Sequence, residues 1–227
     1  MDTKTQKTFF SMAIIVSALH LIAIACKWAS VIYISKPLIV VFLLQVWNYQ
    51  ADSSSNQHIK QWFMMGLMFS LVGDVVLMNK QFVYGILFFL GAQCCYTVTF
   101  TKLYPWRTKD IIPAIPAATY MAFLLWVLLP KVGNLLIPIT IYAFVISMML
   151  WRALCITALK NMLAYLLACG SILFVVSDSC IAIDKFIHPI PYHRIVIMST
   201  YIAAQVLLCF ATIKLTQTDQ LKTAKGE

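Results

Sequence analysis

Apolar runs long enough to cross a bilayer follow one another along almost the whole chain. They lie near residues 9–26, 30–49, 61–79, 82–101, 111–129, 134–151, 161–183 and 194–214. A bilayer-crossing helix takes about 20 residues, so eight of them consume about 160 of the 227 residues and leave room only for short connections. Each run is apolar around most of its circumference, as a helix must be when lipid or another helix lies on every side. Apolar residues make up 62% of the chain and charged residues 11%, against about 45–50% and 25% in soluble domains. With a mean hydropathy of +0.85, a soluble enzyme, a disordered regulator and a fibrous protein are all excluded. The sequence predicts an all-α fold: one polytopic membrane bundle of about eight transmembrane helices, a single domain over residues 1–227.

Three polar breaks organise the runs: Gln50 to His58, Lys102 to Asp110, and Asp184 to Arg194 with Pro189 and Pro191. The net charge is +9, but the basic residues fall singly at the ends of apolar runs. A nucleic-acid binder would gather them into one stripe, so no nucleic-acid partner is expected. The pattern fits topology-setting loop charges in contact with anionic lipid. On the side of the N-terminus lie 11 cations: Lys4, Lys7, Lys60, Lys102, Arg107, Lys109, Arg152, Lys160, Lys214, Lys222 and Lys225. The other side collects 5, namely Lys27, Lys80, Lys131, Lys185 and Arg194. Both termini are therefore expected in the cytoplasm, with the first run kept as a helix rather than cleaved as a leader. The seven cysteines are scattered through the apolar runs without CxxC spacing, which argues against a disulfide framework or a zinc knuckle.

Two of the eight acidic residues lie where acids are expensive. Asp74 sits in Phe69–Met78 and Asp178 in Phe174–Ile181, and an Asp at mid-membrane costs at least ~2.5 kcal/mol. Such a residue serves either function or a packing hydrogen bond between helices. The third and seventh runs point the same way, and each Asp lies about five residues before the outer end. Both carboxyls are thus expected about 8 Å below the outer interface. Short echoes link the halves of the chain: Gly73-Asp74 with Ser177-Asp178, and Gly91-Ala92-Gln93 with Ala203-Ala204-Gln205. They fit two four-span halves in a parallel repeat, or chance. Gln93 with Tyr96, and Tyr201 with Gln205, share helix faces at the same level. Lys36-Pro37 interrupts the second run near its outer end, where Lys36 either reaches into this layer or snorkels to the headgroups. Lys36, Gln93, Tyr96, Tyr201 and Gln205 are the candidate substrate-binding residues. His20 stands alone, and His188 and His193 lack a third intramembrane ligand, so no metal is expected.

From Lys36 to Gln205 the chain resembles the lysoplasmalogenase family, the YhhN-like integral membrane hydrolases. The resemblance rests on Lys36-Pro37, Ser70-x-x-Gly73-Asp74-x-x-Leu77, Gly85 with the Phe89-to-Tyr96 stretch, Trp151-Arg152, Leu173-Phe174-x-x-Ser177-Asp178 and Thr200-Tyr201-x-x-Ala204-Gln205. It implies cleavage of the vinyl ether bond of lysoplasmalogens, a class of lysophospholipid, to a fatty aldehyde and a glycerophospho-alcohol, with no cofactor. The family often carries His where this chain has Gln93, so no proton-relay role is assigned there. Trp151-Arg152 falls at the opposite face from the acids and reads as an interfacial anchor. The chemistry suits the residues. Protonating the β-carbon of a vinyl ether makes an oxocarbenium ion that water captures, and the slow step needs a carboxylic acid still protonated near neutrality. A free Asp titrates near ~3.9, but burial of a carboxyl can raise that to neutrality. Two neighbouring carboxyls divide the roles, one keeping its proton and one ionised, as glycosidases do for a similar cation. On this reading Asp74 and Asp178 are catalytic, which is acid and which is ionised being open. A proton-coupled transporter would use the same pair between two repeats, and a structural or lipid-sensing protein would use it for packing alone.

Overall fold

A computed structural model describes residues 3–49 and 57–217. Its eight long helices are α1 (Thr3–Ala25), α2 (Ala29–Asn48), α3 (Gln57–Met78), α4 (Phe82–Leu103), α5 (Ile111–Leu128), α6 (Leu136–Ile156), α7 (Met162–Phe186) and α8 (His193–Gln217). Among the described residues there is no strand, and eight helical segments are long and apolar enough to cross a membrane. The expected all-α, multi-pass architecture is what the chain adopts. Most of the break from Gln50 lies outside the described residues, as do Lys222 and Lys225.

Helix ends differ from the apolar runs where polar residues extend a helix into the interface. The first helix starts at Thr3, and Gln6 donates its side-chain amide to the Val46 carbonyl at 3.2 Å. The seventh continues to Phe186. Its last turn carries Asp184, whose carboxylate accepts the Ile190 N–H at 2.9 Å and lies 3.5 Å from His193. The second helix runs unbroken through Pro37, so Lys36-Pro37 does not interrupt it. Pro113 and Pro138 fall in the first turns of α5 and α6, where a missing N–H costs nothing. Turn residues Lys27, Lys80, Lys160 and Gly133 all have φ between 51° and 61°, which lets the chain reverse between consecutive helices within a few residues.

The chain divides into two units, residues 1–99 and 100–227, with the boundary inside α4. In lipid, helices associate through close packing and polar contacts, because the surroundings are as apolar as the interface. The first unit shows this in its α3–α4 hairpin. A Cβ at Gly66 would stand 2.6 Å from the Tyr96 ring, and one at Gly73 would stand 2.9 Å from the Phe89 ring. Both glycines therefore let aromatic rings of α4 approach the α3 backbone. Trp47, Phe63 and Tyr96 continue the packing as a buried aromatic column, with centroid separations of 4.8 and 5.1 Å. In the second unit Gly170 of α7 admits Leu207 and the Ala204 backbone of α8, and Ser177 Oγ donates to the Ile197 carbonyl at 3.1 Å.

Arg152, expected at the interface, is fully buried. Its guanidinium donates to Asp110 Oδ2 at 3.0 Å, to Thr101 Oγ1 at 3.1 Å and to the Tyr104 carbonyl, and lies 5.0 Å from the centre of the Trp106 ring. The neighbouring Trp151 donates its indole N–H to the Asp110 carbonyl at 2.7 Å. The pair Trp151-Arg152 thus clamps the α4–α5 connection to the end of α6.

Candidate active site

Asp74 lies on α3 one turn before its end, 2% exposed, and Lys36 of α2 reaches it with Nζ 2.9 Å from Oδ1. Lys36 is itself only 14% exposed. A lysine held this far from water needs an anion beside it, and a buried Asp needs a cation or several donors. The pairing meets both needs and settles where Lys36 points. Beside it, Ser35 Oγ shares a hydrogen bond of 2.7 Å with His20 Nδ1 of α1.

Ser70, one helical turn before Asp74, is completely buried, and its hydroxyl finds no hydrogen-bond partner among the described residues. Gln93 of α4 is also completely buried, and both its amide N and its amide O lack a partner among the described residues. The contacts of Gly66 with Tyr96 and of Gly73 with Phe89 fix the antiparallel register of the hairpin, and that register brings Gln93 level with Ser70. Buried groups left unmatched cost about 1–3 kcal/mol each, so a folded protein keeps them where something else bonds to them. Tyr96, one turn deeper than Gln93, belongs to the aromatic column under Gly66. The first unit therefore pairs Lys36 with Asp74 and sets Ser70 and Gln93 at neighbouring levels of the α3–α4 hairpin.

Asp178 lies on α7 in the second unit, half-buried, and accepts a hydrogen bond from the Tyr142 hydroxyl of α6. Next to it, Ser179 Oγ meets the Tyr120 hydroxyl of α5 and donates to the Val175 carbonyl at 2.6 Å. These four side chains line a cavity of about 30 Å³ whose other walls are apolar. That volume holds one or two water molecules, and the hydroxyls and carboxyl supply the polar partners water needs. On α8, Gln205 donates to the Tyr201 hydroxyl at 3.2 Å, both side chains being buried. Tyr201 also meets Phe174 of α7 edge-on, at 5.6 Å between centroids.

The acids thus sit in different settings, Asp74 against a lysine in the first unit and Asp178 among hydroxyls in the second. Their distances from the helix ends also differ. The polar last turn of α7 adds residues beyond the apolar run, so Asp178 stands about two turns from Phe186 while Asp74 stands one from Met78. Sequence reading missed Tyr120, Tyr142 and Ser179, and it met Ser70 only as a member of a family motif, with no role at the site. A tyrosine near a span end is common in any membrane protein, and serine is common where helices approach closely, so neither stands out as an aspartate does.

The geometry can be set beside known proteins. The profile of the YhhN family matches residues 31–212. Lysoplasmalogenase TMEM86B of Rattus norvegicus is 31% identical over 191 residues, covering 83% of this chain and 75% of its own length. The Mus musculus protein of that name is 32% identical over 194 residues, with 83% and 77% covered. A protein from Mycobacterium bovis named lysoplasmalogenase is 29% identical over 159 residues, covering 66% of this chain and 59% of its own. No solved structure matches. A profile match that takes in every candidate residue from Lys36 to Gln205, joined by relatives above 30% identity over most of both chains, leads to one assignment: the chain belongs to the YhhN family.

Proposed function

We propose that this chain is an intramembrane lysoplasmalogenase that cleaves the vinyl ether bond by proton transfer to carbon, with Asp178 as the acid and Asp74 as the ionised partner. The reading is supported by the relatives named lysoplasmalogenase. The observation that carries the division of roles is the 2.9 Å contact of Lys36 with Asp74. That contact makes Asp74 one half of an ion pair, which suits it to face a developing cation rather than to donate a proton. Asp178 accepts from Tyr142 through one oxygen, and a carboxylic acid can accept through one oxygen while donating from the other.

The steps balance as follows. The proton of the Asp178 carboxyl passes to the β-carbon, the C=C π pair forms the new C–H bond, and the α-carbon becomes an oxocarbenium ion. Water adds to that carbon and returns a proton to Asp178. The resulting hemiacetal loses the glycerol oxygen as an alcohol, leaving the aldehyde. One water is consumed and no electrons are exchanged. The hydroxyls of Tyr120, Tyr142 and Ser179 suit the placing of that water. Gln93 and Ser70, with their unmatched polar groups, suit hydrogen bonding to the glycerol part of the substrate, and Tyr201 and Gln205 complete the set.

Detergent-purified protein with lysoplasmalogen as substrate and aldehyde as readout tests the roles. Asp74→Asn and Asp178→Asn should each lower kcat by ~10²-fold or more, with melting temperatures near that of the unchanged protein. Near-native turnover in either variant removes that residue from the mechanism.

A further inference from the structure

A second cavity, of about 870 Å³, opens at the other ends of the second unit's helices, where the α4–α5 connection, the end of α6 and the start of α7 meet. It lies more than three turns, about 20 Å, along α7 from Asp178, measured from its lining residue Tyr165, and the chemistry above makes no use of it. Its size is that of a ligand pocket.

The charges lining it are unbalanced. Arg107, Lys109 and Lys160 contribute cations, and the one acidic side chain in the wall is Asp110. That carboxylate is buried and already engaged, since Oδ2 accepts both from Arg152 Nη1 and from the Arg107 backbone N–H at 3.0 Å. The clamp on Arg152 thus removes the only lining acid from the account of the lysines. Two helix N-termini converge on the same space: Pro113 belongs to the first turn of α5, and Lys160 precedes the Asn161 cap of α7. Helix N-termini carry partial positive charge, which favours anions, although at α7 the Asn161 side chain already accepts the Ala164 N–H at 2.8 Å. Thr108, Thr157 and Tyr165 add hydroxyls. Excess positive charge, donors and a rigid wall together suit one chemistry, that of phosphate.

We propose that this cavity binds a phosphate group, presented by an anionic phospholipid headgroup or by a soluble phosphate ester. The test uses the full chain in maltoside detergent, with fluorescent phosphatidylglycerol and phosphatidylcholine as probes and sn-glycerol 3-phosphate as competitor. Phosphatidylglycerol should bind at least tenfold more tightly than phosphatidylcholine. The variant R107Q/K109Q/K160N should lose that margin; Asn is chosen at 160 because it tolerates the left-handed backbone there (φ 51°). Removing the same charge elsewhere, in K27N/K80N/K131Q, should leave binding within twofold. Competition by glycerol 3-phosphate at concentrations near its lipid counterpart assigns the site to soluble esters, and failure to compete assigns it to the lipid headgroup. Lys109→Gln alone, on an exposed turn, should weaken lipid binding about threefold and guards against misfolding of the triple variant. Equal affinity for the two lipids, or equal loss in both triple variants, overturns the proposal.

Discussion

Lys36 is the residue whose role the structure narrows most. Sequence reading leaves it to reach into the polar layer or to snorkel, and the 2.9 Å contact with Asp74 favours the first. Lys36→Met should therefore lower kcat at least tenfold with KM within about twofold, and Lys36→Arg should restore part of it. A raised KM at unchanged kcat would move Lys36 to the phosphate instead. Asp74 and Asp178 were legible because an acid inside an apolar run stands out against its cost. Tyr142 and Tyr120 were not, since nothing local distinguishes a tyrosine that holds a carboxyl or a serine from one that marks an interface. Gln93 was legible as a member of the layer, but its lack of a partner among the described residues depends on what α4 packs against. Arg152 was misread for a physical reason: an Arg beside a Trp at the end of an apolar run has the composition of an interfacial anchor, and its partner Asp110 is brought to it only by the folded connection.

All eight helices could be placed from hydropathy, and their ends shifted by a few residues where polar side chains found partners. Gln6 extends α1 by bonding to Val46, and Asp184 extends α7 by bonding back from the following turn. Hydropathy sees lipid contact and is blind to such caps. The α3–α4 hairpin rests on the glycines at 66 and 73, whose meaning was likewise hidden until the facing rings were known. The clearest test at this scale is the clamp between α6 and the α4–α5 connection. Arg152→Met leaves the Asp110 carboxylate buried without its cation, which should destabilise the protein by about 3–5 kcal/mol. Unfolding in mixed micelles of detergent and denaturant measures it. The double variant R152M/D110N should recover part of the loss, and a single variant as stable as the original protein would mean the clamp contributes nothing.

Across the whole molecule, the orientation rests on the 11-to-5 excess of cations on the N-terminal side. Arg152, a member of the 11, is buried against Asp110, and the other ten outnumber the five opposite without it. Reporter fusions at Ser54 and Gly226 should read cytoplasmic and one at Lys131 external; the reverse at Lys131 would invert the orientation. With that orientation the acids lie toward the outer leaflet, and the basic cavity of the second unit faces the cytoplasmic headgroups. The reaction itself has a signature independent of topology. If a carboxylic acid delivers its proton to carbon, a saturated ether analogue is inert, because it has no double bond to protonate. The most direct measurement is hydrolysis of lysoplasmalogen in D₂O, with the aldehyde reduced at once to its alcohol so that exchange stops. One deuterium at the former β-carbon and slowed turnover are the expected result. Turnover in D₂O as fast as in H₂O would contradict slow protonation at carbon, because direct attack of water on the ether carbon would release an enol that gains the same deuterium only afterwards.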